Sequence, residues 1–74
     1  MDIKNLLKMS VIDTAGQSVG KVENIEFNED DGVITDIIVK LDNGLFSRDT
    51  EKINFDKVET IKDVVLLNTD IDLD

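Results

Sequence analysis

Carboxylates are the only reactive side chains this sequence supplies in number: 17 Asp and Glu stand against 8 Lys and Arg, while Cys, His, Trp and Tyr are absent. Without imidazole or thiol there is no His- or Cys-based nucleophilic machinery, no soft-metal ligand set and no disulfide. The hydroxyls of Ser10, Ser18 and Ser47 have no base to activate them. Asp30 and Asp31 could do acid–base work only in a water-excluding cleft, which a small barrel with a filled interior seldom has, so they read as a solvated turn. Asn28, Asp30 and Asp31 carry part of the spacing of a calcium loop, but a bidentate Glu at the loop end and a flanking helix pair are missing. Gly16 and Gly20 lack the helix N-terminus and the Lys-Ser/Thr pair of a phosphate cradle, so they read as turn glycines. The expectation is a non-enzymatic protein with no cofactor and no metal.

The formal charge of -9 repels phosphate backbones and anionic headgroups, so direct nucleic-acid binding is not expected. Such a balance serves solubility, and it also complements a basic protein surface. No apolar run reaches the length of a signal peptide core or a membrane span, which makes a cytoplasmic protein without membrane insertion the default. The 74 residues form a single domain, with a core over about residues 6–68 and an acidic tail over 69–74. A domain this small buries roughly 60–65% of its unfolded surface, and its core rarely supplies more than about 3–5 kcal/mol. Self-association, as a homodimer, is a natural supplement.

The elements follow from hydrophobic spacing. Ile3, Leu6 and Leu7 allow one amphipathic turn, too short to hold alone and read as a lead-in. Strands are expected over Ser10–Asp13, Val19–Phe27, Val33–Leu41, Lys52–Phe55, Thr60–Ile61 and Asp63–Asn68. Val19, Ile25 and Phe27 share one parity and Val22 the other, which calls for a bulge near Gly20-Lys21. Such bulges curve sheets into small barrels. Val33, Thr35, Ile37, Val39 and Leu41 form the core face of the third strand. Ile34 and Ile38 then lie on the opposite face, covered either within the monomer or by a dimer partner. Leu45 and Phe46 either continue a hairpin strand or make a loop-tip contact; with Ile34 and Ile38 they are the candidate protein-interface residues. Asp56 to Glu59 form a possible helical turn capped by Asp56. Val64 to Leu67 is continuous enough for burial on both faces. Thr69 to Asp74 alternates acid and aliphatic, as a strand extension or a docking motif would, though fraying is the simpler expectation for a terminus.

One order of features spans nearly the whole chain: Leu6-Leu7, Val11-Ile12, Gly16, Gly20-Lys21-Val22, the acidic turn Asn28–Gly32, then Ile53–Val58 and Ile61–Leu67. It resembles the PRC-barrel family from about Leu6 to Leu67. The departures are Lys8, Ser10, Asn54 and Lys62, which stand where such proteins often place glycine or proline. The resemblance implies a mostly β fold, a small antiparallel barrel of five to six strands with at most one short helical turn. It also implies docking of other proteins, with no catalytic motif to carry over. Family members include a domain of a ribosome maturation factor and the cytoplasmic part of a photosynthetic reaction-centre subunit. A stand-alone chain of this length resembles the small archaeal proteins of cell division. By that resemblance the partner would be the membrane anchor of the division ring or a PRC-barrel paralogue. A ribosome-maturation role, with a basic ribosomal protein as partner, is the alternative.

Overall fold

The parity break in the second strand is resolved by two bulges. In the computed structural model, which describes residues 2–42 and 49–71, that strand is β2 (Ser18–Phe27). It pairs antiparallel with β1 (Ser10–Ile12) on one side and β3 (Ile34–Leu41) on the other. Val11 faces Gly20 and Ile12 faces Ser18, which leaves Val19 as an extra residue against β1. Val22 faces Val39 and Asn24 faces Ile38, which leaves Glu23 extra against β3. Odd-numbered Val19 and even-numbered Val22 thereby both reach the core. The bulge expected near Gly20-Lys21 is found at Val19, directly before that pair, and a second one follows at Glu23. At Gly20 itself a Cβ would overlap the Lys40 carbonyl oxygen and stand 2.8 Å from its carbon, so β3 can lie this close only to a glycine.

The remaining strands are β4 (Thr50–Asn54), β5 (Val58–Ile61) and β6 (Val65–Leu67), and the sheet runs in the order β4-β3-β2-β1-β6-β5. Neighbours are antiparallel except β1 and β6, which run parallel with Val11 opposite Val65. The sheet is therefore mixed where a purely antiparallel one was expected; β1 and β6 lie at opposite ends of the chain, so most of the domain serves as the crossover that parallel pairing requires. β4 and β5 share no ladder among the described residues. The sheet is nonetheless rolled around a single core. Val11, Val19, Val22, Ile37, Val39, Leu41, Ile53, Val65 and Leu67 are buried in it, and Val58 and Ile61 of β5 pack against it. Every strand thus contributes to one interior, as a small barrel requires.

Two short helical turns flank this roll, one more than expected. α1 (Ile3–Leu6) is capped by the Asp2 side chain, which accepts from the Lys4 N–H. Four residues do not hold a helix in isolation; burial of Leu6 in the core anchors this one. A 3-10 turn at Phe55–Lys57 links β4 to β5, capped by Asn54 instead of Asp56: the Asn54 carboxamide accepts from the Asp56 N–H at 2.9 Å.

Three expected burial patterns change. Thr35 is an extra residue between the pairs Glu26–Asp36 and Phe27–Ile34, so the core face of β3 begins at Ile37, and Val33, 59% exposed, lies outside the strand. In β6, Val65 and Leu67 are buried while Leu66 is exposed, so this strand is covered on one face only. The segment after β6 does not extend it. It turns to the β1–β2 connection, where the Thr14 N–H donates to the Thr69 carbonyl and Ile71 packs against the core.

Candidate functional site

Large hydrophobic side chains exposed among the described residues are Ile3, Leu7, Phe27, Val33 and Leu66. Three of them, Ile3, Leu7 and Phe27, line one open groove together with Asn24, Ile25, Gly32 and Ile34. Val33 stands between two of the lining residues. Exposure is thus concentrated in one place, which is the arrangement that marks an interaction site; singly scattered apolar residues need no explanation. The groove encloses about 380 Å³.

Three elements build it. α1 supplies Ile3, and Leu7 follows at its C-cap. The end of β2 supplies Asn24, Ile25 and Phe27, and the start of β3 supplies Ile34, which pairs with Phe27. The Thr35 bulge lets Ile34 and Phe27 face each other in register although the strand below has shifted by one residue. Asn24 is the polar side chain in the lining, and its carbonyl oxygen accepts from the Ile25 N–H at 2.8 Å.

The four interface candidates are distributed by this geometry. Ile34 lines the groove. Ile38 is half-buried further along β3, where it pairs with Asn24 on β2 and Lys52 on β4. Leu45 and Phe46 lie outside the described residues. Ile3, Leu7 and Phe27 enter the sequence reading only as parts of the lead-in turn and of the second strand, and not as interface residues. Phe27 shares its parity with Val19 and Ile25, which gives no sign that it ends exposed, and nothing in a four-residue helical turn announces that it will stand beside a hairpin 20 residues away.

The acidic turn is organised by its own backbone. Asn28 Oδ1 accepts from the Asp30 N–H at 2.8 Å and Asp31 Oδ1 from the Val33 N–H at 2.9 Å, as Asx turns do. Among the described residues no group of three or more acids, His or Cys could hold a metal ion. Among the described residues the buried charge is elsewhere, at Asp13, only 4% exposed. Its Oδ1 accepts from the N–H groups of Ala15 and Gln17, and its Oδ2 from Gln17 Nε2 and the Ile71 N–H. Burial pushes the Asp13 pKa up, but the hydrogen bonds from Gln17, Ile71 and Ala15 outweigh it and hold the carboxyl below its ordinary value. On the outer face of the sheet Lys52 pairs with Glu26 at 2.9 Å; this hydrogen bond, with the Glu26 and Asp36 charges, raises the Lys52 pKa.

A rolled six-stranded sheet of this size around one core defines a small domain of the β-barrel class. The model of the PRC-barrel domain matches residues 1–74, the whole chain, and the protein belongs to that family. No curated protein matches the chain.

Proposed function

We propose that this PRC-barrel protein is a non-enzymatic cytoplasmic adaptor that self-associates and docks a second protein. The observation that carries the reading is the gathering of Ile3, Leu7, Phe27 and Ile34 at one groove on an otherwise strongly charged chain. The resemblance to small archaeal division proteins suggests the process. The partner is then the membrane anchor of the division ring or a PRC-barrel paralogue. A second reading rests on the net charge of -9: an acidic barrel would suit a basic ribosomal protein during ribosome maturation.

Affinity purification of the tagged protein from its native cells, with and without ribonuclease, separates the two. Recovery of division-ring proteins in both arms supports the adaptor in division. Recovery of ribosomal proteins or assembly factors favours the second reading. Recovery of the tagged chain alone removes support from both.

A further inference from the structure

Resting on the adaptor reading, we propose that the Phe27 groove takes a short amphipathic segment of a partner protein, apolar on one side and bearing Lys or Arg beside it. Its volume of about 380 Å³ lies at the small end of the usual range of about 300–1,000 Å³ for pockets, room for a few anchoring side chains. The rim supplies the second half of the argument. Asp2 precedes Ile3, Glu23 precedes Asn24, and Glu29, Asp30 and Asp31 occupy the turn leading to Gly32; all five are exposed. The bases next to lining residues are Lys4 and Lys8. Glu26, which also adjoins the groove in the chain, is ion-paired with Lys52. Counted alike, as chain neighbours of lining residues, Asp2, Glu23 and Asp31 stand against Lys4 and Lys8; with Glu29 and Asp30 in the same turn and a formal charge of -9 on the chain, the surroundings of the groove favour a segment with cationic flanks, which gains both burial and charge complementarity.

The same rim disfavours the other occupants. A second copy would bring an identical acidic rim, on a chain of charge -9, against this one across a two-fold axis. A small apolar ligand would find little to orient it, since the polar side chain of the lining, Asn24, already has its carbonyl oxygen engaged by Ile25.

The test is an NMR titration of the 15N-labelled full chain with three synthetic peptides of equal length. One is an amphipathic Leu/Lys helix former, one its Leu/Glu counterpart and one a scrambled Leu/Lys sequence. The ordered Leu/Lys peptide should shift the amides of Ile3, Leu7, Ile25, Phe27 and Ile34 saturably, and its affinity should fall as salt rises from about 50 to about 500 mM. Phe27→Ala, at a site 57% exposed, should weaken it by about tenfold without changing Tm. Equal binding of the Leu/Glu or scrambled peptide, shifts centred elsewhere, or an unaffected Phe27→Ala variant would overturn the proposal. Shifts at these amides that depend on protein concentration alone would also overturn it and assign the groove to a second copy. If Phe27→Ala still retrieves the native partner from cells, the groove assignment fails while the adaptor reading stands. If the wild-type chain retrieves none, the adaptor reading fails although peptide binding holds.

Discussion

Lys8 adopts φ 71°, in the left-handed region, while its N–H donates to the Val22 carbonyl at 2.7 Å. This conformation costs a non-glycine residue about 1–2 kcal/mol, and glycine would forfeit about 0.5–1 kcal/mol of that relief through the greater freedom of its unfolded chain. Lys8→Gly should therefore stabilise the fold by about 0.5 kcal/mol, raising Tm by about 2–4 °C in a thermal melt. The position was visible in the sequence as a departure from a family habit of glycine or proline; its backbone angle was not. Asp13 shows the opposite limit. Its neighbours Thr14, Ala15 and Gly16 mark a turn, but the bond to Ile71, 58 positions away, has no local signal. Because the folded pKa of Asp13 is depressed, its stabilising contribution is fully present above the ordinary Asp pKa of about 3.9 and is lost as pH falls through the lower folded value. Melts from pH 6 down to about pH 2 should show Tm falling below about pH 4, and Asp13→Asn should have a lower Tm at pH 6 and a shallower acid limb.

Among the elements, β1, β2 and β3 were legible because turn residues bracket them and aliphatic residues alternate within them. The core of β3, Ile37, Val39 and Leu41, came directly from that alternation. What the chain does not announce is where a strand skips a residue. The Thr35 bulge removed Val33 and Thr35 from the expected core face and brought Ile34 opposite Phe27, so the groove was hidden although most of its hydrophobic residues were in view. Of the tail over 69–74, the described residues 69–71 depart from the simple expectation of fraying for a similar reason: Ile71 packs against the core, its N–H donates to Asp13 and its carbonyl accepts from Gln17 Nε2 at 3.2 Å. Deleting residues 70–74 should accordingly leave a folded chain with a Tm several degrees lower, in the range of about 4–8 °C for each 1 kcal/mol lost. An unchanged Tm would show that the contacts of Ile71 contribute nothing to stability.

For the molecule as a whole, an adaptor that self-associates and also docks a partner needs two surfaces that can be filled together. Ile34 and Ile38 sit four residues apart on one strand and were grouped together as a single apolar face, but only Ile34 lines the groove. Ile38 lies between the fully buried Ile37 and Val39, so by strand alternation its side chain points away from the core, and its cross-strand neighbours are Asn24 and Lys52. This outward side of the sheet is separate from the groove, and under the proposed self-association it is the surface through which the chain should pair with itself. Ile38→Asp should then convert a homodimer to a monomer in light scattering while keeping a cooperative melt, because no core side chain is removed and the new carboxylate stands beside Lys52. A dimer that survives the substitution would move the self-contact to the outer strands β4 or β5, whose far edges carry no ladder among the described residues. Loss of the cooperative melt would place Ile38 in the core. Peptide binding at the groove by the monomeric variant would complete the case for two independent surfaces, since coupling between them would show as a weakened affinity once the dimer is gone.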